Sequence, residues 1–226
     1  MTADVPPVVL VHGLATSAER TWVETGFTEL LADEGRTVSL IDLPGHGASP
    51  LLAPGEWDRL DEWLLARLPD GQVDAVGFSM GARLLLTLAG SEPSRFRRLV
   101  VAGVGANLFH SEDHSPLAAS LEAGDDPEDH PIVRHFRELA RASGTDLSAV
   151  VALLGARLPP LEPLIGATTA DVLVVLGDAD FVGPADPLMQ RLPPGSQLQM
   201  LGGVDHFATP KSMGFLDAAL RFLGRP

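Results

Sequence analysis

Gly77-Phe78-Ser79-Met80-Gly81 sets a serine between two glycines, at the spacing of a nucleophile carried on a tight turn. The run from Val73 leads into it and the apolar run Leu84-Leu85-Leu86 leaves it, so a strand, a sharp turn and a helix are expected in that order. A turn this tight holds its serine at strained backbone angles. Hydrogen in place of a side chain at Gly77 and Gly81 lets neighbouring backbone close in. The turn lifts the Ser79 hydroxyl above the sheet edge and leaves the Met80 N–H free at a helix N-terminus, where negative charge is stabilised. Leu14, just past His12-Gly13, offers a second backbone N–H for the same oxyanion. An acid near position 180 and the histidine of Asp205-His206-Phe207 supply what a hydroxyl nucleophile needs, a base and a group that orients the base. A solvated serine on a glycine-containing turn is the bland alternative, and the flanking pattern and these partners weigh against it.

The elements that must position these groups follow from the apolar pattern. Pro7-Val8-Val9-Leu10-Val11 is a continuous apolar strand of the kind buried on both faces of a parallel sheet. Trp22 to Glu34 reads as a helix ending at Gly35, and Thr37 to Asp42 as the next strand. The turn-rich loop Leu43-Pro44-Gly45-His46-Gly47-Ala48-Ser49 follows. Glu56 to Leu68 is expected as a second helix, with Trp57, Leu60, Trp63, Leu64 and Leu68 on one core-facing stripe. After the helix from Met80 to Gly90 come strands over Arg97–Val104, Asp171–Leu176 and Ser196–Leu201, and a closing helix from Pro210 to Leu223. Alternation of this kind implies a parallel sheet with right-handed crossovers. The first strand stands close to Met1, and about six strands are expected in all. Between Gly105 and Ala170 the pattern breaks: proline and acidic residues accumulate, and only the short helices Pro131–Ser143 and Leu147–Leu154 stand out. The chain therefore divides into a core, 1–104 with 171–226, and an insertion, 105–170, read as a cap over the site.

Composition narrows the chemistry. There is no cysteine, which removes disulfides, thiol nucleophiles and thiolate metal sites. Tyrosine is absent, and the single lysine, Lys211, has no glycine-rich phosphate loop before it. The net charge of −14 speaks against nucleic acid and anionic membrane surfaces as partners. No basic-then-apolar leader stands at the N-terminus and no apolar run reaches membrane-spanning length, so a cytoplasmic protein is expected. His110, Glu112, Asp113 and His114 lie close together, but a solvated acidic loop is the better reading than a metal site, because no further ligand is positioned by sequence. Neither a metal nor a cofactor is called for. His12 reads first as a loop histidine that orders its turn, though it stays among residues that could meet substrate.

Taken together, His12-Gly13-Leu14, Asp42-Leu43-Pro44-Gly45-His46-Gly47-Ala48-Ser49, Gly77-Phe78-Ser79-Met80-Gly81, Gly177-x-x-Asp180 and Asp205-His206-Phe207 resemble the α/β-hydrolase fold over nearly the whole chain, the insertion excepted. The resemblance implies a mostly parallel sheet flanked by helices and a Ser79–Asp180–His206 triad. In that family the acid closes a Gly-x-x-Asp turn, which selects Asp180 over Asp178; Asp205 is too near His206 in sequence to serve. His206 would take the Ser79 proton, Asp180 would fix the imidazole, and the Leu14 and Met80 amides would receive the oxyanion. The implied activity is hydrolysis of a small carboxylic ester, thioester or lactone. The elbow followed by Ala82-Arg83 also resembles the menaquinone-pathway SHCHC synthases, carbon–carbon lyases that use the triad for proton abstraction. Their elbow carries tyrosine where Phe78 stands, and Arg83 matches an arginine that meets substrate carboxylate. Arg83 reads equally as a helix-surface residue paired with a carboxylate, and Arg134, Arg137, Arg141 and Arg157 of the insertion are further candidates. A non-catalytic binding protein on the same fold is a third class, weakened by the presence of all three triad residues. Phe78, Leu108, Phe109, Leu153, Leu154 and Phe207 complete the expected substrate contacts.

Overall fold

The computed structural model describes residues 5–110, 113–126 and 128–224. Six strands form one sheet in the order β2-β1-β3-β4-β5-β6: β1 Val8–Val11, β2 Val38–Ile41, β3 Val73–Phe78, β4 Phe96–Ala102, β5 Asp171–Gly177 and β6 Gln197–Leu201. Every neighbouring pair is parallel. The inner strands are buried on both faces with a period of two. Val9 and Val11 join one apolar cluster with Ala75, Val101 and Val174, whereas Val8 and Leu10 join the opposite one with Val76, Val100 and Val175. The helices divide in the same way. Leu31 of α1 (Phe27–Asp33) and Phe215 of α9 (Met213–Leu223) cover the second face, beside Trp22. The first face is covered by α2 (Leu60–Leu65), α3 (Met80–Ser91) and α8 (Asp186–Met189). Asp74, at the start of β3, is fully buried between Arg36 and Arg97.

The chain runs from β1 outward to β2, then returns across β1 to β3. The order of strands therefore reverses between β1 and β3, the place where open α/β sheets leave a crevice at the strands' carboxyl ends. Leu14 follows β1 and Ser79 follows β3, so both stand at this point.

Residues 105–170 carry α4 (Ser115–Glu122), α5 (Pro131–Ser143), α6 (Leu147–Gly155) and α7 (Glu162–Ile165). Leu121, Val133, Ala140 and Val150 form a small core of their own around Ala15. The segment is fastened to the sheet side through backbone oxygens: Asp146 N–H donates to Gly45 O at 2.9 Å, Ser143 Oγ to Ala15 O at 3.3 Å and Thr145 Oγ1 to Thr16 O at 3.2 Å. α7 packs on α3.

Two helices expected from the sequence are shorter. Trp22–Glu34 is divided into a π-helical turn, Glu19–Val23, and α1, because Gly26 takes φ +76° between them. Glu56–Leu68 is a 3-10 turn, Trp57–Arg59, followed by α2 alone. Leu60 and Leu64 of its stripe are buried, whereas Trp57 and Trp63 are half-buried against the core edge. Helices α4 and α7 were not expected. Among the described residues no helix is long and apolar enough to cross a membrane.

Candidate active site

The turn between β3 and α3 has the strain its sequence implies. Ser79 sits at φ +52°, ψ −112°, a region a side chain enters at about 1–3 kcal/mol. It is held there by its own N–H, which donates to Ala102 O of β4 at 2.8 Å. The closeness of the chain explains both glycines: a Cβ at Gly81 would lie 2.3 Å from Val11 O, and one at Gly77 would lie 2.7 Å from Ala82 N.

His206 Nε2 lies 3.1 Å from Ser79 Oγ. Its Nδ1 lies 3.0 Å from each oxygen of Asp180, whose side chain is wholly buried. With a carboxylate there, the Nδ1 carries the proton and donates it, and the Nε2 lone pair faces the hydroxyl. Asp180 closes the turn after β5 by donating its N–H to Gly177 O at 3.2 Å, and its Oδ1 also accepts the Val182 N–H. The rival acids are occupied elsewhere: Asp178 accepts from Gly203 N–H and Asp205 from Ala208 N–H. The Leu14 and Met80 N–H groups donate to no other described group, and both residues line the same cavity as Ser79.

The loop bearing Leu14 is set by two buried histidines. Leu43 N–H donates to His12 Nε2 at 3.0 Å, so the His12 proton is on Nδ1, which donates to Gly13 O. Ala15 N–H donates to His46 Nε2 at 3.1 Å, and His46 Nδ1 donates to Pro44 O at 2.9 Å. Ala15 has φ +58°, and this bond holds it. Burial, reinforced by the neighbouring His12, lowers the His46 pKa to about 4. His12 is thus a structural residue that does not line the cavity, correcting its place among the expected substrate contacts. The role of His46 was not read from the sequence, although the Pro-Gly-His-Gly turn was the signal for it.

The cavity has a volume of about 560 Å³ and is walled on one side by the strand-end loops and on the other by residues 105–170. Phe78, Leu108, Leu153, Leu154 and Phe207 line it as expected, and Phe109 does not. The Phe109 ring instead packs under the Arg191 guanidinium, 4.3 Å away. Arg83 borders the cavity, but its guanidinium is committed to Thr87 Oγ1 and Pro159 O. Burial lowers its pKa against the opposing charge of Glu162. It pairs with a backbone carbonyl, not with the surface carboxylate that was the alternative. Arg134, Arg137, Arg141 and Arg157 all lie off the cavity; Arg137 binds Asp129 and Ser120 O, and Arg141 binds Asp125. His110 and His114 border the cavity mouth, unlike the purely solvated loop expected, and Glu112 lies outside the described residues. Phe181 and His135 are lining residues that the sequence reading missed. Phe181, next to Asp180, had position as its only signal, and His135 had none.

A parallel sheet that presents serine, acid and histidine in this chain order beyond its strand ends defines an α/β hydrolase. The chain belongs to the alpha/beta hydrolase fold family, whose model matches residues 6–129. It is 30% identical over 220 residues to a pimeloyl-[acyl-carrier protein] methyl ester esterase of Aromatoleum aromaticum, covering 90% of this chain and 85% of that one. Among solved structures it is similar to a hydrolase from Pseudomonas aeruginosa, with 25% identity, a TM-score of 0.67, and coverage of 99% and 92% of the two chains. The enol-lactonase from Burkholderia xenovorans shares the fold at 19% identity and a TM-score of 0.72, over 99% of this chain and 93% of that one.

Proposed function

We propose that this enzyme hydrolyses a small carboxylic ester, thioester or lactone through an acyl-enzyme on Ser79. The observation that carries the reading is the relay from Ser79 Oγ to His206 Nε2 at 3.1 Å and from Nδ1 to the buried Asp180. His206 removes the hydroxyl proton as Oγ bonds to the carbonyl carbon, and the oxygen that gains charge meets the Leu14 and Met80 N–H groups. The bond to the alcohol or thiol breaks and the leaving atom takes the proton from Nε2. Water, deprotonated by the same imidazole, then releases the acid and restores Ser79. Asp180 keeps the imidazole in the tautomer that can accept from the serine. Residues 105–170 act as the cap whose inner side chains select the acyl group. The similarity to methyl ester esterases supports ester cleavage.

The lyase reading needs cationic groups for a carboxylate-bearing substrate; the guanidinium of Arg83 is taken by Pro159 O and Thr87 and the insertion arginines lie off the cavity, which leaves Arg20, paired with Glu24, and Lys211 at its lining. A binding protein without activity has no use for a buried, aligned charge relay. The test is a p-nitrophenyl butanoate progress curve with intact-mass analysis of an early quench. A burst and a butanoyl adduct are expected on the wild type, and Ser79→Ala should lose activity on the order of 10⁴-fold. Turnover of activated esters that survives in folded Ser79→Ala defeats the assignment, and pyruvate release from the menaquinone-pathway intermediate would favour the lyase.

A further inference from the structure

In ester cleavage the departing alcohol takes its proton from the imidazole Nε2, so the groups packed around the outer side of His206 face the alcohol and not the acyl chain. That wall is aromatic. The Phe181 ring lies 4.5 Å from the imidazole, centroid to centroid, and Phe207 meets the imidazole edge-on at 5.3 Å. Phe78 holds the imidazole at 4.9 Å, so His206 is already fixed without Phe181. Yet Phe181 is 64% exposed, a large apolar ring left in water at the cavity's edge.

His135 of α5 completes this wall. Its ring packs edge-on against Phe207 with centroids 4.1 Å apart. It lines the cavity, and its Nε2 is shielded from solvent with no hydrogen-bond partner. A large ring left in water beside the catalytic imidazole, with an unpartnered histidine in the same aromatic cluster, is what a subsite looks like before its ligand arrives.

We propose that Phe181, Phe207 and His135 form a leaving-group subsite for an aromatic alcohol bearing a hydroxyl substituent. The ring of the alcohol packs on Phe181 and Phe207, and its hydroxyl, which can donate or accept, bonds to the His135 imidazole after that ring turns about Cβ–Cγ, since Nε2 as it stands is closed to a water-sized group. The preferred substrates are then arylmethyl esters over methyl esters. This inference rests on the ester-hydrolase reading.

Butanoate esters of methanol, cyclohexylmethanol, benzyl alcohol and 3-hydroxybenzyl alcohol hold the acyl group constant while the alcohol changes. Benzyl over cyclohexylmethyl should show a kcat/KM advantage of about threefold to tenfold, the range of an aromatic pair beyond its burial. The hydroxyl should add a further factor of about threefold to tenfold. Phe181→Leu should erase the first ratio, and His135→Phe should erase the second while keeping the first. Equal cleavage of the cyclohexylmethyl and benzyl esters, or ratios untouched by these variants, overturns the subsite and leaves the hydrolase reading standing. If no ester is cleaved at all, that reading has failed. The subsite is then decided by NMR titration of the wild-type protein with 3-hydroxybenzyl alcohol against cyclohexylmethanol, where binding without discrimination overturns it.

Discussion

His46 should make this protein acid-sensitive in a way one substitution can isolate. Its imidazole is fully buried and neutral, accepting from Ala15 N–H and donating to Pro44 O. Protonation would place a hydrogen on the nitrogen that Ala15 already points at. Burial holds the pKa at about 4 against an ordinary 6.5, so the folded state binds fewer protons than the unfolded chain between those values. The corresponding stability is fully present above pH 6.5 and is lost as pH falls toward 4. The whole span corresponds to about 3 kcal/mol at about 1.4 kcal/mol per pH unit, and at pH 5 about 2 kcal/mol of it is gone. Urea unfolding followed by tryptophan fluorescence at pH 8 and pH 5 measures the difference. His46→Gln can still accept from Ala15 but cannot titrate. It should be less stable than wild type at pH 8 and should lose about 2 kcal/mol less on going to pH 5. Titrating groups remote from His46 cancel in this comparison. Parallel losses in the two proteins would refute the account of His46. Because His46 holds Ala15, next to the Leu14 amide, esterase activity should fall in the same acid range and partly recover its pH tolerance in the variant.

Exchanging the two acids after β5 should separate them: Asp180→Asn should lower kcat on the order of 10⁴-fold, as expected for a wrong imidazole tautomer, whereas Asp178→Asn, which keeps an oxygen to accept from Gly203 N–H, should stay within about tenfold of wild type. Steady-state kinetics on one activated ester reads both. Leu108→Ala, Leu153→Ala and Leu154→Ala should shift the preferred acyl length of a p-nitrophenyl ester series, because each lines the cavity, and an unchanged profile in all three would mean that acyl selection lies elsewhere. Asp74→Ala leaves the buried Arg36 without its carboxylate and should destabilise the fold by about 3–5 kcal/mol, measured by chemical denaturation.

The core was legible because its strands obey a strong rule. Residues buried on both faces of a parallel sheet must be apolar throughout, and β1, β3, β4 and β5 are nearly so. The Gly-x-Ser-x-Gly turn was legible for a steric reason, since only hydrogen fits beside Val11 O and Ala82 N. Element lengths were less legible. Apolar spacing across Trp22–Glu34 continues through Gly26, but the backbone there turns to positive φ and divides the helix. Helix α4, Ser-Pro-Leu-Ala-Ala-Ser-Leu-Glu, carries a weak apolar face because only Leu121 is buried, so no stripe announced it. The aromatic wall was invisible for a different reason. Phe181, His135 and Phe207 come from three separate parts of the chain, and only the docking of α5 against the loop after β6 brings His135 to Phe207. Arg83 had charge enough to suggest a ligand, but it donates to the carbonyl of Pro159, distant in the chain, and nothing in the local sequence records such a partner.

Part of the seam between residues 105–170 and the sheet is written in main-chain atoms. Ser143, Thr145 and Asp146 reach the oxygens of Ala15, Thr16 and Gly45, which exist whatever side chains those positions carry. Such bonds tolerate side-chain drift at positions 15, 16 and 45, with the short stretch 143–146 acting as a plug. The plug enters beside the residues that hold the Leu14 amide, so a transplanted lid would bring with it the brace for the oxyanion loop. On the proposed reading, in which residues 105–170 select the acyl group, exchanging this one contiguous segment would change the substrate and leave the chemical step in place.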